Sequence, residues 1–186
     1  GAAVLAAASD PEPDLFRIEL AIARTLAERA LLGSRGGGRF LREYVATRID
    51  HDNCRTALVL AAAGAEEPAA PLFLPGGSIR PEALERAAAT RDPVSAARVL
   101  GEATAAPAPG LAPVLLRHAT APAELEGALE DRAVAMVERE ARLNPLGPAP
   151  VLLFLHRLQR QSVALARLLW SADLGVLPAP AGAGVV

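Results

Sequence analysis

Apolar residues recur at helical spacing along most of the chain. Leu15, Ile18 and Ile22 follow one another at intervals of three or four residues, which places them on one face of a helix. The same spacing returns in residues 41–61 and 122–137. No stretch alternates apolar and polar residues with the period of two that is typical of a strand. The pattern therefore predicts an all-α protein.

Residues that start or end helices mark the boundaries of these segments. Asp92-Pro93 has the N-cap and the first-turn proline of a helix start, and Pro81 opens a shorter helix. Gly64 predicts the end of the second helix, because glycine readily adopts the left-handed conformation that follows many helices. The glycine-rich residues 33–38 separate the first two helices.

An internal similarity suggests how the helices are organised. Residues 18–22 (IELAI) are similar to residues 125–129 (LEGAL), and each segment lies early in a long helix that a break and a second long helix follow. We therefore predict two copies of one helical hairpin, although chance similarity between alanine-rich helices is the alternative. The predicted domains are a helical lobe at 1–64, a connector of loops and short helices at 65–120, a second helical hairpin at 121–177 and a disordered tail at 178–186.

Composition supports the helical prediction and narrows the possible partners. Aromatic residues are only 3% of the chain, and alanine supplies much of its hydrophobic 52%, which favours helices over strands. All 19 basic residues are arginine, a bias that GC-rich coding or selection for guanidinium contacts could produce. The net charge of −2 argues against a nucleic-acid partner, since such domains usually carry a basic excess.

The residue types that usually carry chemistry do not form a recognisable site. The glycine-rich segments 33–38 and 76–78 lack the phosphate-loop pattern, and the chain contains no lysine to complete it. His51, His118 and His156 are far apart and lack the spacing of a zinc site. The single cysteine cannot form an internal disulfide. We predict no catalytic residue, no cofactor and no metal site.

A polar cluster interrupts the apolar pattern of the second helix. Asp50, Asp52, Asn53 and Arg55 stand there, and Asp50 and Asn53 are three residues apart, so they share a helix face. One interpretation is a structural network in which arginines and carboxylates hold neighbouring helices together. The alternatives are a solvated helix break and a ligand site. Across the repeat Arg55 corresponds to Arg167, and the predicted network consists of Asp50, Asn53, Arg55, Glu126 and Arg167.

The most apolar stretch of the chain, residues 151–170, contains one histidine and three arginines. A transmembrane helix needs about 20 mainly apolar residues, so we predict no membrane-spanning segment. The few large side chains, Phe40, Phe73 and Trp170, are expected in the protein core.

Several segments, in order, resemble one family of rotary ATPase subunits. Residues 49–55 (IDHDNCR) resemble an "iDxxNxR" segment of the C/d family, whose members are the C-type subunits of V/A-type ATPases and the d-type subunits of V-ATPases. Residues 73–79 (FLPGGSI) are similar to the "lipGG" turn of that family, here formed by Gly76 and Gly77, and a helix beginning with Pro and Glu follows. Residues 125–131 are similar to its acidic helix start.

The last signature of the family, "ExxNlR", is only partly present. Arg167 fits its final position, but Ser162 and Leu165 replace the acid and the asparagine. Members of the family are normally longer and have three related helical lobes. The resemblance therefore implies a divergent and N-terminally truncated member, in which helical-hairpin lobes form a funnel-shaped, pseudo-symmetric protein.

The resemblance also implies a function without catalysis. In that family the protein belongs to the central stalk of the rotor of a proton- or sodium-translocating ATPase, where it couples the shaft to the membrane proteolipid ring. The implied partners are the rotor shaft subunits and that ring, and the implied location is cytoplasmic and peripheral to the membrane. The alternative is a helical adaptor or regulatory protein unrelated to rotary ATPases. A helical enzyme would require a pocket of convergent charged groups, which the sequence does not indicate.

Overall fold

A computed structural model describes residues 15–64 and 68–174, except for the side chains of residues 172 and 173. Over these residues the chain forms seven α-helices and one short 3₁₀ helix, with no β-strand, which confirms the all-α prediction. The predicted disordered tail at 178–186 lies outside the described residues. The helices are α1 (Leu15–Ser34), α2 (Gly38–Ala63), α3 (Pro81–Ala88), α4 (Pro93–Thr104), α5 (Ala112–Arg117), α6 (Pro122–Leu143) and α7 (Ala149–Asp173), and the 3₁₀ helix is Ala70–Leu72.

The local signals for helix ends act as the sequence predicts. Asp92 caps α4, because its carboxylate accepts a hydrogen bond from the backbone N–H of Ser95 at 2.7 Å and Pro93 follows in the first turn. Gly64 ends α2 in the left-handed conformation, with φ of 63°, and its N–H donates to the carbonyl of Ala61. These ends need only neighbouring residues, which is why the sequence indicates them.

The chain divides into two compact units, and the division falls in α6 after Met136. In the first unit α1 packs on α2, α2 packs on α3 and α4, and α4 packs on α5. One apolar cluster fills this unit and takes side chains from five helices, since it includes Cys54, Leu84, Leu100, Leu115 and Leu125. The segment predicted as a connector thus contributes much of the core. The repeat and the domain boundaries stay predictions.

The second unit begins at Val137 and contains the end of α6 and the whole of α7. Ala149 and His156 are buried near the start of α7, whereas Trp170 near its end is 66% exposed. The expectation of a core position is therefore wrong for Trp170, although Phe73 is buried. No helix in the described part of the chain is both long and apolar enough to cross a membrane.

Candidate functional site

Two polar side chains of α2 hold a loop against that helix. Asp50 is 1% exposed, and its carboxylate accepts hydrogen bonds from the backbone N–H groups of Ser78 at 3.1 Å and Ile79 at 3.0 Å, and from the hydroxyl of Ser78. Asn53 is 3% exposed and pairs with Leu74, since it donates to the carbonyl at 2.9 Å and accepts from the N–H at 2.7 Å. We call these two side chains and loop residues 74–79 the clamp.

The clamp explains why polar residues are tolerated inside α2. Asp and Asn usually weaken a helix interior, because their side chains compete for nearby backbone hydrogen bonds. Here both side chains bond a loop more than twenty residues away, and α2 continues without a break from Gly38 to Ala63. A buried carboxylate also needs donors, and the N–H groups of the loop provide them.

Two glycines allow the loop to approach the helices closely. Gly76 has φ of 95°, a left-handed conformation, and a Cβ atom at this position would lie 2.3 Å from Cδ1 of Leu31. A Cβ atom at Gly77 would lie 2.2 Å from Oδ1 of Asp50. Neither position accommodates a side chain unless the packed atoms move. The glycine pair that the sequence indicated as a turn is thus a steric requirement of the clamp.

The clamped loop is also anchored by apolar side chains at both of its ends. Phe73 directly precedes the loop and Ile79 is its last residue; they are 7% and 4% exposed, and both belong to the apolar cluster of the first unit. The hydrogen bonds of the clamp therefore act together with burial, and the loop is joined to α2 by both kinds of interaction.

Ion pairs join α2 to the beginning of α6, in the same unit. Arg48 bonds the carboxylate of Glu130, and Nη1 of Arg55 lies 3.7 Å from Oε2 of Glu126. The second pair is exposed at both side chains, so its contribution to stability is small. Arg167 lies on the exposed part of α7 in the second unit.

The predicted polar network therefore has two parts in the structure. Asp50 and Asn53 bind one loop, and Arg55 pairs with Glu126. The donors to Asp50 are two backbone N–H groups and a hydroxyl. This arrangement differs from the arginine partner that the sequence suggested. Any buried donor can satisfy a carboxylate, so the sequence could not indicate which one would. Whether Arg167 belongs to the network stays a prediction.

A buried histidine lies beside the clamp on α2. His51 is 3% exposed, and within the described structure neither ring nitrogen has a hydrogen-bond partner. Burial, with smaller contributions from the charges of Arg48 and Arg132, lowers the pKa of His51 to about 4, and the carboxylate of Glu130 opposes them. The imidazole is therefore neutral near pH 7. The sequence raised His51 only as a possible metal ligand and gave no signal of its burial, which depends on helices packed against α2.

A groove of about 410 Å³ lies beside the clamped loop. Arg24 and Glu28 of α1 supply its charged groups, and one Arg24 guanidinium nitrogen donates to the carbonyl of Pro71.

Cys54 lies in the core, where burial raises the pKa of its thiol, which disfavours the nucleophilic thiolate. In residues 15–64 and 68–174 no group of three His, Cys, Asp or Glu side chains is arranged to hold a metal ion.

Comparison with known proteins gives one match. The family model described as ATP synthase (C/AC39) subunit matches residues 2–161. That range contains the clamp, both ion pairs between α2 and α6, and the first half of α7. No curated protein and no solved structure matches the chain.

Proposed function

The chain belongs to the ATP synthase (C/AC39) subunit family, and from this premise we propose that it is a central-stalk rotor subunit of a V/A-type ATPase. In this role it joins the shaft to the membrane proteolipid ring, so that the two rotate together. It catalyses no reaction itself, and it works at the cytoplasmic face of the membrane as a peripheral part of the complex. The observation that carries the proposal is the family match over residues 2–161.

The close packing of the first unit supports a role in the transmission of torque. Its helices enclose one apolar cluster in which Leu100, Leu111 and Leu115 are fully buried, and close packing of this kind resists deformation. The clamp joins loop residues 74–79 to α2 through hydrogen bonds. A part that couples two partners mechanically needs such a body, because flexible connections would absorb the rotation.

The family assignment also favours one of the two functions that the sequence left open. A helical adaptor unrelated to rotary ATPases is disfavoured by the family match over residues 2–161. An enzyme is not favoured by the site, since the buried groups Asp50 and Asn53 are saturated by backbone partners. Their role in the proposal is to hold the coupling body in shape.

The proposal is tested by deleting the gene for this chain from its host and isolating the membranes. We expect ATP hydrolysis by the catalytic head to persist, while ATP-driven ion transport is lost because the shaft and the ring no longer turn together. Re-expression of the native chain should restore transport. Transport that is unchanged by the deletion would contradict the proposal.

A binding experiment tests the two partners separately. The immobilised native chain should retain the shaft subunits from solution and the proteolipid ring from detergent extracts of the same host. An unrelated helical protein on the same support is the negative control and should retain neither partner. The Asp52→Asn variant leaves the clamp intact, so it should retain both partners as the native chain does. Retention of the catalytic head but of neither rotor partner would show that the chain belongs elsewhere in the ATPase.

A further inference from the structure

The second half of α7 is exposed on all sides. Every residue from Arg157 to Trp170 is exposed, although this stretch contains Leu158, Val163, Leu165, Leu168 and Leu169. A helix that packs on a protein core hides its apolar face, as α2 does with Leu58 and Ala61. A continuous exposed apolar surface on a folded protein usually marks an interaction site.

Six of the exposed apolar residues of α7 form a stripe along one face, and Val163 and Leu168 lie on either side of it. The stripe residues recur at intervals of three, four or seven residues, which is the spacing of a single helix face. Ser162 lies within the stripe, and its hydroxyl is satisfied inside the helix by the carbonyl of Leu158 at 3.0 Å. The stripe residues are 48–72% exposed, and they are Val151, Phe154, Leu155, Leu158, Leu165 and Leu169.

Apart from its last residue, helix α7 carries only positively charged side chains. Between Ala149 and Ala172 the charged residues are Arg157, Arg160 and Arg167, and no aspartate or glutamate occurs. Helical spacing places Arg160 and Arg167 on the face opposite the stripe, and Arg157 lies between the two faces. The helix therefore joins an apolar face to a basic face.

This combination is typical of helices that lie in a membrane interface. Such helices have a basic polar face, leucine and aromatic residues on the other face, and low net hydrophobicity. Trp170 stands beside the stripe and is exposed, and tryptophan is enriched at the boundary between lipid and water. No helix in the described residues can cross a membrane, so α7 would lie along the surface.

We propose that α7 docks on the surface of a bilayer that contains anionic lipids. The stripe enters the boundary between headgroups and acyl chains, while the arginines interact with the lipid phosphates. Charge complementarity favours this occupant over a second copy of the chain, since two copies would bring six arginines together without any counter-charge from α7. The proposal rests on α7 alone and does not require the rotor role.

Fluorescence provides a direct test, because Trp170 is the single tryptophan of the chain. The native chain is mixed with vesicles of phosphatidylcholine alone, or of phosphatidylcholine and phosphatidylserine in equal amounts. We expect the emission of Trp170 to shift to the blue, and the protein to sediment with the vesicles, when phosphatidylserine is present. High salt should weaken the binding, since part of the attraction is electrostatic.

Variants separate the two faces. Leu158→Gln with Leu165→Gln should lower the affinity for anionic vesicles at least about tenfold, because the apolar contact is lost. Arg157→Gln with Arg167→Gln should lower it by up to about fivefold for each arginine. The matched control is Leu26→Gln on α1, which is also exposed, at 60%, and should bind as the native chain does. Circular dichroism checks that each variant keeps its helices.

Three results would overturn the proposal. The first is the absence of both sedimentation and a blue shift with anionic vesicles. The second is a blue shift with an acidic polypeptide such as polyglutamate and none with vesicles, which would assign α7 to an acidic protein partner. The third is a lipid-free dimer in sedimentation velocity that the Leu165→Gln change converts to a monomer, which would assign the stripe to a second copy.

Discussion

Replacement of Asp50 by asparagine tests the clamp most sharply, because the change keeps the shape and removes the charge. The carboxylate of Asp50 accepts from the N–H of Ser78 and the hydroxyl of Ser78 at one oxygen and from the N–H of Ile79 at the other. Asparagine has one acceptor oxygen, so its amide group must face one of these donors. A buried donor then loses its partner, and the remaining bonds lose their charge.

The size of the effect follows from these bonds. An unsatisfied buried donor costs about 1–3 kcal/mol, and a hydrogen bond to a charged group is stronger than a neutral one by about 1 kcal/mol. With two bonds retained, the unsatisfied donor and the charge lost from these two bonds together cost about 3–5 kcal/mol. Ser78 is exposed, so water can partly replace what is lost there, and we expect a decrease of about 2–4 kcal/mol in the free energy of unfolding. The total free energy of unfolding of a protein domain is roughly 5–15 kcal/mol.

Urea unfolding followed by circular dichroism measures this decrease, and hydrogen exchange localises it. The Asp50→Asn variant should unfold at lower urea with an unchanged slope, and the amides of Ser78 and Ile79 should exchange faster. Asp52→Asn is the matched control on the same helix. Burial raises the pKa of Asp52 despite Arg48 and Arg55, so the fold disfavours this charge and its removal should not lower the free energy of unfolding. Equal effects of the two variants would refute the reasoning.

Two further predictions concern neighbours of the clamp. Gly77→Ala should cost about 1–3 kcal/mol in urea unfolding, because its Cβ would lie 2.2 Å from the clamp carboxylate, whereas Gly36→Ala has open space and should cost less than about 1 kcal/mol; equal costs would contradict this. The pKa of His51 is about 4 in the fold and 6.5 as its ordinary value, so the folded state resists protonation and stability should fall as pH drops from 6.5 toward 4, by on the order of 3 kcal/mol. Urea unfolding across this pH range should show a smaller loss for His51→Leu, and parallel curves would contradict the prediction.

The helices and several of their ends could be predicted from the sequence because the interactions that form them are local. Apolar spacing, the Asp92 cap and the Gly64 stop involve residues within about one helical turn. The polar residues of α2 also indicated a structural element before any contact was known. Its partner could not be deduced, since the N–H groups of Ser78 and Ile79 are 28 and 29 positions away from Asp50.

Residue type and local order are thus enough to predict the all-α class, the helix ends and the family resemblance. The packing of the helices in three dimensions, in contrast, sets which surfaces are covered. It buried His51 without a hydrogen-bond partner among the described residues, placed Leu84 of the predicted connector in the core and left Trp170 exposed. Burial is the sum of contacts with segments that are distant along the chain, and the same apolar helix pattern fits a core or an open surface equally well.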